Sequence, residues 1–228
     1  MGLMGCKCNI SNSDKNTEMK NDINSSNKID NDNLINNNRI IKIEEEYMKK
    51  YSGYSQNITD LINKIRKYPH EYAEIIENSI KNIIIEENDL EPNNPKIIYK
   101  QKIKVALHRG EPAFKEAAGL LRNMSPLSPL EFKEEICIPL PDNEKESKDS
   151  NYLRNKVKEM LSKKITINSF FKDLVKVPEI SVLLMIVDDN GKSAGKKRRA
   201  LLNKEYKYIG INFRFFGEHF ISYFSFSK

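Results

Sequence analysis

The 228-residue sequence contains no tryptophan, only three cysteines and only three histidines. So few cysteines exclude a disulfide-stapled secreted scaffold. The histidines, His70, His108 and His219, sit in separate segments with no paired motif, and each reads as a structural or solvated side chain. Glycine-rich phosphate loops and C-x-x-C are missing, so the common nucleotide-binding and thiol-redox frames have no footing. No run approaches the roughly 20 apolar residues that span a bilayer. An apolar signal-peptide core is lacking too, since "SNSDKNTEMK" follows Ile10. A reducing compartment is therefore expected.

What is present is charge and asparagine. Charged residues make up 31% of the chain and the net charge is +6, which permits attraction to anionic surfaces without specifying one. Eight of the eighteen residues from Asn21 to Asn38 are asparagine, and Ile23, Ile29, Leu34 and Ile35 are too sparse to cover a core. Burial there cannot offset the entropy of ordering, so residues 9–46 read as a tether. Biased composition filling a linker accounts for the asparagines better than a prion-like role.

Two of the three cysteines lie ahead of that tether, in "MGLMGCKCNI". Removal of Met1 would expose Gly2, the acceptor for N-myristoylation. Cys6 occupies the position where Ser or Thr is usual, and Lys7 follows. One myristoyl chain binds a bilayer only marginally, with a constant on the order of 10⁴ M⁻¹, so a stable anchor needs a second signal. Thioacylation of Cys6 and Cys8 would supply it. As a metal pair, C-x-C without a nearby histidine is poor. Residues 1–8 are therefore expected to be an acylation segment that places the protein on the cytoplasmic face of a membrane.

Order is expected to begin between Glu44 and Tyr51, with the folded domain over residues 47–228. "NITDLINKIRKYPHEYAEIIENSIKNIII" has helical spacing broken at Pro69, with Asn57 or Thr59 as candidate caps. Phe114, Ala117, Ala118 and Leu121 share a helical face, and Pro112 suits a first turn. "NYLRNKVKEMLSKK" is helical, whereas "PLPDNEKESKDS" reads as an exposed connector. "EISVLLMIVDDNG" fits a buried strand or a buried helix equally. "EYKYIGINFRFF" and "HFISYFSFSK" read as strands joined at Gly217 and Glu218. The fold class is α+β. Asp188 and Asp189, being adjacent, read as cap or hinge residues rather than paired acids.

Three blocks, "LINKIRKYPHEYA", "FKEAAGLLRNMSPLSPLEF" and "IVDDNGKSAGKKRRALLNKEYKYIGINF", resemble the CAP (SCP-like) superfamily over about Tyr47 to Lys228. The resemblance implies a three-layer α-β-α sandwich and puts Ile180 to Val187 in a helix. Many members line a cleft with histidines and acids that can hold a divalent metal. This chain has Lys196 and Lys197 where the family places one histidine, no histidine between Phe132 and Val182, and "TINSFFKDL" in place of the family's "GEN" motif. The resemblance thus carries over no metal site, cofactor or catalytic residue.

The expected function is a lipid-anchored, non-enzymatic binding module whose partners are a membrane, anionic lipid or sterol, or another protein. Lys192, Lys196, Lys197, Arg198 and Arg199 are the candidate contact with an anionic surface, although a solvated loop or a nuclear-localisation-like patch fits the same composition. The alternatives are a metal-dependent hydrolase of CAP type and a basic nucleic-acid-binding protein. The missing cleft histidines disfavour the first. The second lacks a recognisable motif and would be held away from nucleic acid by the anchor.

Overall fold

Burial of one stripe of isoleucines sets the first long helix. A computed structural model describes residues 42–87, 95–189 and 195–228, all within the second of the chain's two units, Lys42–Lys228. Helix α1 covers 42–50, so the folded unit begins ahead of the expected boundary at 47, and Tyr47 stacks on Phe215 at 4.9 Å. Helix α2 (Tyr54–Lys67) buries Ile58, Ile62 and Ile65, the i, i+4, i+7 positions of one face. Gly53, not Asn57 or Thr59, precedes it: burial of Tyr54 draws the helix one turn further back, and the Thr59 hydroxyl instead donates to the Ser55 carbonyl. Pro69 starts α3 (Pro69–Ser79) and holds Tyr68 out of the helical region at φ −128°, which separates the two helices.

A three-stranded antiparallel sheet follows: β1 (Ile83–Glu86), β2 (Lys96–Lys100) and β3 (Lys104–Leu107), with Ile84 opposite Ile98 and Ile98 opposite Ala106. Helix α4 (Glu111–Arg122) carries Pro112 in its first turn and buries Phe114, Ala117, Ala118 and Leu121 as the spacing predicts. Strand β4 (Glu131–Phe132), short helix α5 (Glu144–Lys148) and helix α6 (Tyr152–Ser162) lead to β5 (Ser169–Asp173). "PLPDNEKESKDS" is thus not wholly an open connector, because α5 forms within it and buries Ser147. "EISVLLMIV" is helix α7 (Pro178–Val187), followed by α8 (Lys196–Leu201).

The expected hairpin is β6 (Tyr208–Phe216) and β7 (His219–Ser227), and Gly217 supplies the positive φ of 58° at the first turn position. These strands centre a four-stranded sheet ordered β4-β6-β7-β5, in which β4 runs parallel to β6 and the other neighbours are antiparallel. Both faces of the hairpin are buried. Ile209, Ile211, Phe215, Phe220 and Phe224 join the main core with residues of α2, α3, α4 and α7. Phe216, Ile221 and Tyr223 pack instead with Val157 and Met160 of α6. That double burial explains why β7 has no polar face: its aromatic and aliphatic residues fall on both sides of the strand, and the interspersed Ser222, Ser225 and Ser227 are buried with them. The architecture is α+β.

Gly210 marks a close approach in this sheet. A Cβ there would lie 2.7 Å from Ser225 Oγ and 2.8 Å from the backbone of Ile136 and Cys137, so the 3₁₀ turn Glu134–Ile136 can sit against β6 only because the side chain is absent. No helix among the described residues is long and apolar enough to cross a membrane.

Candidate functional site

The basic segment begins where α7 ends. Asp188 adopts a left-handed conformation (φ 47°, ψ 56°) that stops α7. Its carboxylate accepts from the Lys197 backbone N–H at 2.6 Å, at the start of α8, and more weakly from that of Arg198 at 3.4 Å. Asp189 faces another way. Its carboxylate, 3% exposed, accepts the backbone N–H groups of His108 (2.9 Å), Arg109 (2.8 Å) and Gly110 (3.0 Å), which gathers the loop before α4 onto the end of α7. Gly110 is needed there, with φ 62° and Ile97 Cγ2 2.8 Å from where a Cβ would stand. The acidic pair therefore organises two loops, the cap-and-hinge role that adjacency suggested.

Helix α8 is sided. Arg198 is buried, donates to the carbonyls of Ile186 and Val187, and pairs with Glu116 of α4. Arg109 also pairs with Glu116, at 2.7 Å. Arg109 and then Arg198 hold the Glu116 carboxyl below its usual value. Lys197 is four-fifths buried and its ammonium lies 2.8 Å from Asp173 on β5. Lys196 and Arg199 are exposed and form no ion pair with a described residue. The expected five-residue surface contact is thereby corrected. Arg198 and Lys197 turn inward to buried or half-exposed carboxylates, Lys196 and Arg199 remain at the surface, and Lys192 lies outside the described residues, as do Gly2, Cys6 and Cys8. Lys196 and Arg199 line an open cavity of about 340 Å³ with Phe171, Asn203 and Tyr206.

A second cleft of about 280 Å³ lies on the far side of Lys197, between Asp173, Asp189 and Lys172, with Leu107, Val175 and Leu184 as apolar wall. Asp173 accepts from the Lys197 ammonium, the Ser181 hydroxyl (2.8 Å) and the Val175 N–H (3.2 Å). The Tyr54 hydroxyl donates to the Val175 carbonyl at 3.0 Å and touches Ser181 and Ser222. Burial first, and Asp173 second, push the Tyr54 phenol far above its usual range. Both cleft carboxylates are thus occupied by protein donors.

Arg66 anchors the whole arrangement from below. It is fully buried and donates to four carbonyls: Ser128 (2.7 Å), Leu201 (2.8 Å), Asn203 (3.0 Å) and Tyr206 (3.4 Å). It ties α2 to the end of α8 and to the segment entering β6. Neither Arg66 nor Asp173 stood out as a site residue in the sequence. The Arg in "LINKIRKYP" was the only trace of the first, and nothing local marks the second.

The histidines do not converge. His70 contacts the Met124 carbonyl at 3.2 Å, His108 contributes its backbone N–H to Asp189, and His219 sits at the hairpin turn. Among the described residues no group of three or more His, Cys, Asp or Glu could hold a metal ion. Cys137 is a free thiol that burial pushes up to about 11. No family model, curated protein or solved structure matches this chain.

Proposed function

We infer that the chain is a lipid-anchored binding module without catalytic activity, a CAP-like domain held at the cytoplasmic face of a membrane for lipid or protein partners. The observation that carries this reading is the grouping of Gly2, Cys6 and Cys8 ahead of the asparagine-rich stretch. A myristoyl acceptor and two thiols within eight residues provide the two signals a stable anchor requires. The CAP-like part is supported by helix-borne side chains against both faces of the β4-β6-β7-β5 sheet, which fit a three-layer α-β-α sandwich. It is supported also by the succession of acidic turn, basic helix and core strand from Asp188 to Phe216. Lys196 and Arg199 are the exposed cations of α8 and would meet anionic headgroups, each adding about 1 kcal/mol near such a surface. The commitment of Asp173 and Asp189 to protein donors favours binding over hydrolysis.

Membrane fractionation of cells expressing variants tests the anchor. Gly2→Ala is expected in the soluble fraction, and Cys6→Ser with Cys8→Ser is expected to associate weakly and exchange quickly. Wild-type levels of Gly2→Ala protein in the membrane pellet would refute the reading.

A further inference from the structure

A third cavity, of about 370 Å³, lies between α2, α3, β2 and α7 and shares no lining residue with the two clefts around α8. Leu61, Ile75, Ile180 and Leu183 give it an apolar wall. Tyr72 and Tyr99 also line it, 6% and 1% exposed. Tyr99 is satisfied: its hydroxyl donates to Gln101 Oε1 at 3.2 Å and accepts from Asn82 Nδ2 at 3.3 Å. The Ser79 hydroxyl in the same wall donates to the Ile76 carbonyl at 2.6 Å. The Tyr72 hydroxyl has no hydrogen-bond partner among the described residues. The ring is buried, but the hydroxyl is not one of the sealed-off atoms without a partner among the described residues, so it opens into the cavity and takes its acceptor from whatever fills that space. The rim holds one charge of each sign, Lys81 and Glu179, with no net preference for an ion.

We propose that this cavity binds a small, uncharged, largely apolar molecule carrying one hydrogen-bond acceptor, which receives the proton of the Tyr72 hydroxyl while its body lies on Leu61, Ile75, Ile180 and Leu183. The volume is at the low end of the roughly 300–1,000 Å³ typical of small-molecule sites, which sets the ligand's size. The site is independent of the acyl anchor and of α8, so it stands whether or not the chain is acylated.

The test is a fluorescence titration of the full unacylated chain with prodan, a neutral naphthalene bearing one ketone. Wild type is expected to bind it saturably at one site. Tyr72→Phe removes only the hydroxyl. It is expected to weaken binding about 5- to 10-fold, the worth of one hydrogen bond, and to shift the bound emission to shorter wavelength as the ketone loses its donor. Ile75→Trp, at a half-exposed position, narrows the cavity and is expected to abolish saturation. Thermal melts separate a binding role from a structural one: Tyr72→Phe should leave Tm unchanged or raise it, because the hydroxyl it removes is unpaired. No saturable binding by wild type, equal affinity in Tyr72→Phe, unaltered binding by Ile75→Trp, or a lowered Tm in Tyr72→Phe would each overturn the proposal.

Discussion

Arg66→Met should remove the support beneath the basic helix and lower the stability of the whole domain. The guanidinium is fully buried and every partner is a backbone carbonyl, so no carboxylate offsets its charge. Burial lowers its pKa to about 10, the mark of a desolvation cost. Against that cost stand four hydrogen bonds from a charged donor, each contributing about 1.5–3 kcal/mol. Methionine fills a similar volume but leaves the carbonyls of Ser128, Leu201, Asn203 and Tyr206 without a donor. Breaking such a buried network costs about 3–5 kcal/mol, which at about 2–4 °C per kcal/mol for a domain of this size lowers Tm by about 6–20 °C. Arg66→Lys should fall between, because an ammonium has three donors and lacks the planar fork. Urea unfolding followed by far-ultraviolet circular dichroism measures both. The midpoint should fall with the slope unchanged, as for a pure loss of stability. An Arg66→Met protein within about 1 kcal/mol of wild type would show that these bonds contribute nothing net, and the reasoning would fail.

Gly210→Ala should destabilise by about 1–3 kcal/mol, because its Cβ meets backbone at 2.8 Å and the sheet must shift; an unchanged urea midpoint would refute the close approach. With Cys6 and Cys8 changed to serine, the thiol reagent DTNB at pH 8 should modify Cys137 about 100-fold more slowly than a free cysteine, since its thiolate is scarce; fast modification of native protein would contradict its burial. Glu116 has a depressed folded pKa, so its contribution is present above the unfolded value and is lost as pH falls through the folded one. Glu116→Gln should therefore cost under about 1 kcal/mol at pH 7, because the carboxylate is half-exposed and screened, and should flatten the acid limb of stability; a limb of unchanged steepness would remove it from that role.

Periodicity made α2, α3, α4 and α6 readable in advance, and aromatic and β-branched density did the same for β6 and β7. Helix α7 was not separable from a strand on its own pattern, because it is buried on nearly all sides and its apolar run has no phase. Strands β1 to β3 were hidden because "NIII" continues the apolar spacing of α3 without a break that local sequence marks. β5 is a five-residue edge strand whose inward positions are Ser169, Phe171 and Asp173, so polarity obscured its alternation. The same limit governed the basic segment. Composition identifies five cations, but which of them turn inward depends on Glu116 and Asp173, and those partners arrive from distant segments. Asp188 and Asp189 were legible because adjacency alone keeps two carboxylates from sharing a target.

Intact mass spectrometry of the protein isolated from its own cell, before and after hydroxylamine, measures the central claim directly. The account predicts a chain lacking Met1 and carrying one myristoyl group on Gly2 that survives hydroxylamine, with further acyl mass on Cys6 or Cys8 that hydroxylamine releases as a thioester. A chain that retains Met1, or one whose Gly2, Cys6 and Cys8 are all unmodified, would contradict it.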